Sequence, residues 1–386
     1  MTPGARVQAA IECLEKVLAG ERAERVLTAW ARGARFAGSK DRAAVRDHVY
    51  DVLRQKRACA LRGGGDGARA LMLGLVRLQG GDPEALFSGE GHAPAPMSAE
   101  ESAAGAVPVA SAAEVPEWLL PLFEARYGAG VAAELAELTS RAQVFLRVNL
   151  RKATVADAAG MLREDGVETV PVALARGALA VTAGERQVRG AVAYRDGVVE
   201  LQDAASQAAM ETLPLRAGMR VLDYCAGGGG KVLALAGRAE GRFLAHDANP
   251  GRMRDLPARA ERAGVEVGLL DTAAVAGQAP FDLVLCDVPC SGSGTWRRDP
   301  DAKWRFTPEG LAGLNAVQDD ILDAAAPLVA QRGMLAYATC SVLAAENEAR
   351  IAAFLGRHPG WRVAMQRQWH MSEGADGFFI AHLIGE

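Results

Sequence analysis

The sequence predicts an α/β protein: a Rossmann-like, mostly parallel sheet with helices on both faces, preceded by a small α/β module and an amino-terminal all-helical domain. Three observations carry this prediction. From about Arg220 onward, short apolar runs alternate with helical stretches, and several of the runs end in Asp or Cys. Near the start, apolar residues recur at steps of three and four instead. With 386 residues, the chain is also too long for one compact core.

Taken in order, Val7, Ile11, Leu14 and Leu18 form the apolar stripe of a first helix, with Gly20 as its stop. A second helix is predicted from Asp41 to Lys56, with Val45, Val49, Val52 and Leu53 inward. Its cations Lys40, Arg42, Arg46, Arg54, Lys56 and Arg57 fit either a solvated helix face or an RNA-binding surface. Residues 1–88 are thus expected to be helical. From Gly89 to Pro116, Ala, Pro, Ser, Gly and Glu dominate, which reads as a linker or long loop and gives 89–139 as linker plus connecting helix. Phe145 to Asn149 and the apolar patches up to Val199 predict a small mixed module over 140–210. In 211–386, strands are expected at Val221–Asp223, Arg242–Asp247, Val265–Asp271, Phe281–Asp287 and Met334–Thr339. Ligands of such a sheet bind beyond the carboxyl ends of the strands.

Composition narrows the class of function. No run reaches the ~18 apolar residues of a membrane span, and the start, Met1 to Arg6, enters an amphipathic pattern directly, so a cytoplasmic monomer away from membranes is expected. The six cysteines lack the spacing of a zinc site or a disulfide scaffold, which predicts reduced thiols and no metal. A net charge of −4 means that any nucleic-acid surface is a local patch.

The first strand of the sheet runs into Cys225-Ala226-Gly227-Gly228-Gly229-Gly230-Lys231, a turn whose backbone can approach a ligand closely. A phosphate-binding P-loop is excluded by Cys225 and Val232, where Gly and Ser or Thr are required, and a dinucleotide fingerprint is excluded by Val232. Asp247 ends the next strand, where a carboxylate can accept ribose hydroxyls, and Asp271 ends the third, within range of an adenine amino group. Each is by itself an ordinary helix cap or loop residue. In step with the strand order they favour a nucleoside cofactor without phosphates, and S-adenosyl-L-methionine meets that description.

The segment Asp287-Val288-Pro289-Cys290-Ser291-Gly292-Ser293-Gly294-Thr295 continues through Trp296 to Trp304, and Tyr337-Ala338-Thr339-Cys340-Ser341 is followed by Glu346-Asn347-Glu348. These resemble the paired Pro-Cys and Thr-Cys signatures of the Sun/Fmu-type RNA (cytosine-5)-methyltransferases, bacterial 16S ribosomal RNA branch. The resemblance extends through Asp223 to Lys231, Asp247 with Arg252, Gln202 to Gln207, and Asp376 to Phe379, covering about residues 140 to 386. The amino-terminal helices look like the NusB-like domain of that branch. Family members commonly carry Ala-Pro-Gly-Gly-Lys-Thr where this chain has Gly227 to Val232, and the hydroxyl missing at Val232 is expected to weaken cofactor binding slightly.

The resemblance implies a class I methyltransferase domain over 211–386, S-adenosyl-L-methionine as cofactor and RNA, 16S ribosomal RNA first, as partner, with 140–210 as an RNA-binding module. It assigns Cys340 as nucleophile and Cys290 as the thiol that assists product release. Asp287 would hydrogen-bond N3 of the base, and Cys225 to Lys231, Asp247, Arg252, Asp271 and Asp287 would bind the cofactor. Independent chemistry agrees, since C5 of cytosine is a poor nucleophile until a thiolate adds to C6. Cys286 and the thiol of Cys225, in or beside strands, are expected to be packing groups. The target base must leave any stack, and Trp296, Trp304, Arg297, Arg298 and Lys303 are candidates to stack on bases and meet phosphates. A DNA cytosine-5 methyltransferase would have no use for Thr339-Cys340. An amino-methyltransferase would want an Asp-Pro-Pro-aromatic turn in place of Asp287-Val288-Pro289-Cys290. A non-catalytic RNA-binding assembly factor could lose either cysteine.

Overall fold

Alternation of apolar side chains along parallel strands organises the larger of two units, Ala142–Thr295 with Thr307–Glu386; the other is Met1–Arg141 with Trp296–Phe306. The structure is a computed structural model that describes residues 1–104 and 113–386. The larger unit holds two sheets, built from β1 (Phe145–Val148), β2 (Glu168–Pro171), β3 (Ala178–Ala183), β4 (Val199–Leu201), β5 (Met219–Asp223), β6 (Gly241–His246), β7 (Gly268–Leu270), β8 (Phe281–Asp287), β9 (Val329–Thr339), β10 (Trp361–Trp369) and β11 (Phe378–Gly385). The seven-stranded sheet has the order β10-β11-β9-β8-β5-β6-β7. Its β5, β6, β7, β8 and β9 pair in parallel, and β10 and β11 run antiparallel at one edge.

Period-two patterning sends successive residues to opposite faces. Val221, Leu283, Leu285, Ala336 and Ala338 enter one core with the helices Ala204–Thr212, Gly230–Ala236 and Leu256–Ala263. Leu222, Val284, Cys286, Leu335 and Tyr337 enter the other, with Pro308–Ala325 and Glu348–Arg357. Both faces are covered, so the strands read as continuous apolar runs. Strand order reverses between β5 and β8, and this switch point aims the loops after both strands into one crevice. The small module is a four-stranded antiparallel sheet, β2-β3-β1-β4, with its own core around Leu146, Leu162, Leu179 and Val199.

The other unit begins with Pro3–Leu18, whose proline stands in the first turn and whose Thr2 side chain caps Ala5 N–H. The predicted helix over Asp41 to Lys56 is Ser39–Arg54, and a second helix, Lys56–Gly63, follows at once. That helix packs so tightly on Ala68–Leu78 that a Cβ on Gly74 would stand 1.9 Å from the Cys59 carbonyl oxygen, and one on Gly63 would stand 1.8 Å from that of Ala70. One cation of the predicted basic face is structural: Arg54 is buried and pairs with Asp51 at 2.7 Å, whereas Arg42 is exposed and only reaches the Ala34 carbonyl at 3.4 Å.

The structure corrects one expectation here. The first part of the Gly89 to Pro116 stretch is mostly loop, and it is held to the helices because Arg69 grips Glu101 at 2.7 Å and donates to the carbonyls of Ala95 and Pro96; residues 105–112 of that stretch lie outside the described residues. The segment Trp296–Phe306 packs into the helical unit, so of the residues expected to meet RNA, Trp296, Arg297 and Lys303 are buried, Trp304 is half-buried and Arg298 alone is exposed. Trp296 is 1 % exposed between Phe123 and Phe306, and Lys303 is wholly buried. Arg297 is buried and pairs with Glu137 at 3.1 Å, while Trp304 donates its indole N–H to Leu53 O at 2.6 Å. Asp301 accepts from Ala23 N–H at 3.1 Å, so a residue far along the chain caps a helix whose own N-cap, Arg22, supplies no side-chain acceptor. Burial depresses the Lys303 ammonium to about 7, with Glu114 opposing the shift and Arg54 adding to it. Among the described residues, no helix is long and apolar enough to cross a membrane.

Trp296→Ala is expected to cost about 3–5 kcal/mol, as do other buried Trp truncations, lowering the urea midpoint of the helical unit. Unchanged stability with weakened RNA binding would return Trp296 to the surface role predicted from sequence.

Candidate active site

The turn after β5 forms one wall of a cavity of about 370 Å³ lined by Cys225, Ala226, Gly227, Gly228, Gly230, Lys231, Arg252, Asp287 and Cys340, among others. Gly227 has φ +51° and Gly229 φ +82°, and a Cβ on Gly229 would reach within 2.2 Å of Leu256. A side chain would therefore push the turn out of place. Asp247, 4 % exposed, lies behind the turn: one carboxylate oxygen accepts from Gly227 N–H at 2.9 Å and meets Arg252 at 3.1 Å, and the other accepts from Asn249 N–H at 2.9 Å. Two carbonyls of the turn are held from outside the parallel strands. Arg147 on β1 donates to Gly230 O at 2.9 Å and to Gln202, and Arg259 donates to Gly228 O.

On the opposite wall, the loops after β8 and β9 bring Cys290 and Cys340 to an Sγ–Sγ distance of 3.5 Å. The agent of this convergence is Glu346, which is fully buried. It accepts from Ser291 N–H at 2.7 Å, from the Ser291 and Ser341 hydroxyls and from Gln318 at 3.1 Å, so one carboxylate grips the neighbour of each cysteine. Asn347 adds a second clasp, accepting from Thr339 Oγ1 at 2.6 Å and donating to Ser341 O at 2.9 Å. Gly294 N–H donates to Cys340 O and Gly294 O accepts from Gly377 N–H, each at 3.0 Å; a Cβ on Gly294 would stand 2.1 Å from Gly377 O. The hydrogen bond to Cys340, followed by burial, raises the Cys290 thiol well above its ordinary value.

Between the walls, Lys231 Nζ contacts Asp287 Oδ2 at 2.6 Å. Burial opposes the charged ammonium, but Asp287, Cys340 and Asp223 together raise the lysine's pKa. Asp223, at the end of β5, is 1 % exposed, and among the described residues only the amides of Val232 and Cys225 approach its carboxyl, neither with full hydrogen-bonding geometry. Burial and then the charge of Asp287 push it up to about 7, partly offset by Lys231.

The structure thus brings Cys340, Asp287, Lys231, Arg252 and most of the Cys225 to Lys231 turn to one cavity, with Cys290 against Cys340. Asp247 and Gly229 shape the turn without lining the cavity, and Asp271 is exposed and caps Thr272–Gln278 by accepting from Ala274 N–H at 2.8 Å. Cys286 is a packing residue, whereas Cys225, expected to pack, lines the cavity with its thiol raised by burial. Val232 is fully buried in the core, so the hydroxyl expected to be missed by the cofactor is absent from a position that does not line the cavity. Sequence reasoning gave no role to Glu346, Arg147 or Arg259. Only the acid after Thr339-Cys340 left a signal, within a quoted motif.

Comparison with known proteins points to one family. Residues 210–384 match the family described as 16S rRNA methyltransferase RsmB/F, and residues 115–187 match the Methyltr_RsmF/B-like, ferredoxin-like domain. The chain is 35 % identical over 296 residues to ribosomal RNA small subunit methyltransferase B of Xylella fastidiosa, covering 72 % of this chain and 70 % of that protein. To the probable ribosomal RNA small subunit methyltransferase B of Synechocystis it is 32 % identical, covering 69 % of this chain and 66 %, just under two thirds, of that one. The crystal structure of PH0851 shares the fold, with a TM-score of 0.76 and 22 % identity over 100 % of this chain and 99 % of that chain.

Two outcomes follow from the geometry. Glu346→Ala, which strands several buried donors, is expected to cost on the order of 3 kcal/mol and to abolish rapid capture of both thiols by a dithiol-selective arsenical; capture at the wild-type rate would show that Glu346 does not hold the cysteines together. For Asp223 the native form binds its proton more tightly than the unfolded chain, whose aspartate titrates near 3.9, so its stability contribution declines as pH rises from about 4 to about 7. Asp223→Asn removes this decline. Its stability relative to wild type should be on the order of 2 kcal/mol greater at pH ~8 than at pH ~5 by urea unfolding, and a pH-independent difference would refute the shifted carboxyl.

Proposed function

Because this chain belongs to the 16S rRNA methyltransferase RsmB/F family, we propose that it methylates C5 of a cytosine in RNA, most directly small-subunit ribosomal RNA, through a cysteine–C6 covalent intermediate. The observation that carries this reading is the pair of thiols, Cys290 and Cys340, 3.5 Å apart at the cavity that Lys231 and Asp287 share. One thiol suffices for addition to C6, and a second next to it has a use only if another proton must be moved.

The cavity fits S-adenosyl-L-methionine in three respects. Its volume of about 370 Å³ lies in the range of small-molecule sites, roughly 300–1,000 Å³. Its Gly227-Gly228 wall admits close approach of a ligand to the backbone, and the P-loop serine or threonine that a triphosphate requires is absent. When bound, this cofactor supplies an electrophilic methyl group. Asp247 and Arg252 hold the turn against the nucleoside end, and Asp271 lies at the rim of that reading, available only through the oxygen that does not cap its helix.

The steps fall to the chain's own residues. Cys340 attacks C6 as thiolate, forming the S–C6 bond and placing electron density on C5. Asp287, held by Lys231 at 2.6 Å, is placed to hydrogen-bond N3 of the base and favour its protonated form during attack. Once C5 carries the methyl group, its proton passes to water acting as base, the C–H electron pair re-forms the C5–C6 double bond, and the S–C6 bond breaks to return Cys340 as thiolate. Cys290 suits the assisting role, since its raised pKa keeps it a protonated thiol hydrogen-bonded to Cys340. Binding of the RNA falls to the small module over 140–210 together with the catalytic sheet.

Cys340→Ala is expected to abolish tritiated-methyl transfer to ribosomal RNA while leaving S-adenosylhomocysteine affinity by calorimetry within about threefold, as the thiol meets the base and makes no charged contact with the adenosine. Cys290→Ala should retain addition and fail at release, accumulating an RNA adduct that survives denaturing gels and vanishes with ribonuclease or in the Cys290→Ala/Cys340→Ala variant. Normal turnover by Cys290→Ala, or an inactive variant without adduct, would remove the release role.

A further inference from the structure

A second cavity, of about 500 Å³, adjoins the first and shares Gly228, Arg252 and Arg259 with it. Arg189 and Arg262 complete a set of four guanidinium groups there, opposed by Glu200 and Asp255. Glu200 is nearly buried, and one of its oxygens serves both Arg262, at 2.8 Å, and Arg259, at 3.4 Å. Each guanidinium carries five N–H donors, so this carboxylate, the Gly228 carbonyl that Arg259 reaches and the Tyr194 side chain beside Arg262 use only part of the set. Arg262 is further fixed over the Tyr194 ring at 4.6 Å, and Asp255 is drawn toward Arg254 at 3.5 Å. Arg252 remains 57 % exposed although it touches Asp247. Arg189 is exposed, with no ion pair or side-chain hydrogen bond among the described residues. In a chain whose net charge is −4, this is a built concentration of positive charge, and it opens onto the turn that lines the cofactor cavity.

We propose that this groove binds the phosphate backbone of the RNA strand beside the target nucleotide, with Arg189 as its outer contact and Arg259 and Arg262 as preset inner ones; the proposal rests on the RNA-methylation reading above. The chemistry favours phosphates over an extension of the cofactor, whose one carboxylate is accompanied by an ammonium and a sulfonium and would be repelled by four guanidinium groups. Guanidinium groups suit phosphate because they offer parallel donors in a rigid plane. Continuity through Gly228 means that a strand lying in the groove ends at the cavity where Cys340 stands, so backbone contacts here fix register and leave reading of the base to the site itself.

The test compares the full-length wild type with Arg189→Glu, Arg189→Lys and, as a control on a distant strand, Arg362→Glu, using a small-subunit ribosomal RNA fragment. Arg189→Glu should raise the RNA Kd and the KM for methyl transfer about tenfold at low salt and flatten the slope of log Kd against log salt by about 1 between ~50 and ~200 mM. Its kcat, thermal midpoint and S-adenosylhomocysteine affinity should stay at wild-type values. Arg189→Lys should stay within about threefold of wild type, and Arg362→Glu should match it. If wild type is active and Arg189→Glu binds RNA with unchanged Kd and slope, the groove is not the phosphate path and the methylation reading stands. A change in S-adenosylhomocysteine affinity instead would assign the groove to the cofactor. If wild type neither binds nor methylates the RNA, both readings fall together.

Discussion

Glu346 is the interaction on which the reactive geometry depends. Two loops from different strands end in thiols, and nothing in β8 or β9 alone would bring their tips to 3.5 Å. A buried carboxylate that accepts from Ser291 and Ser341 at once converts two independent turns into one rigid clasp. Burying an ionisable group is costly unless its lone pairs are used. Here they are used, and the donors include Gln318 of the helix Pro308–Ala325, so the clasp is tied to a helix covering the sheet. Tyr337 and Asn347 extend the same network to β9 and β10 through Glu346 O and Gln368. Such a network specifies a single arrangement because losing any member strands the others.

The facing wall is governed by charge. Lys231, Asp287 and the buried Asp223 form a set with one cation for two carboxyls, and burial with the charge of Asp287 raises the Asp223 carboxyl to about 7. That leaves Lys231 to Asp287, the carboxyl that lines the cavity. The glycine turn beside them is held through its carbonyls by Arg147 and Arg259, and Glu200 on β4 pairs with Arg259. Burial draws Arg147 down to about 10, a cost that Glu200 partly offsets. The small antiparallel sheet therefore supplies two of the groups that keep the turn in shape.

Charge distribution also explains why polar residues after the Pro-Cys motif are so deeply buried. Asp301 and Glu114 each accept from the first amides of a helix, at Ala23 and at Arg57 and Ala58, where the helix dipole favours an anion. Lys303 is buried within reach of the Glu114 charge. The segment Trp296–Phe306 is thus core and cap for the helical unit, although its composition of two tryptophans and four cations matches that of an RNA-contact strand.

What the sequence by itself determined was everything that depends on local periodicity or on residue chemistry at a turn. The strands at Val221–Asp223 and Phe281–Asp287, the first helix and the glycine turn were legible because apolar spacing and backbone freedom act over a few residues. The two cysteines that the structure brings together were legible for the same reason, since each stands in a short motif at a strand end. Tertiary structure alone decided which polar residues face one another. Glu346 reaches Ser291 across 55 positions, Asp301 reaches Ala23 across 278, and Arg259 meets Gly228 across 31, none of which leaves a periodic trace. Burial likewise belongs to the fold: Trp296 and Lys303 look identical in sequence whether they stack on a base or fill a core, and the desolvation that decides between these arises only when distant segments close around them.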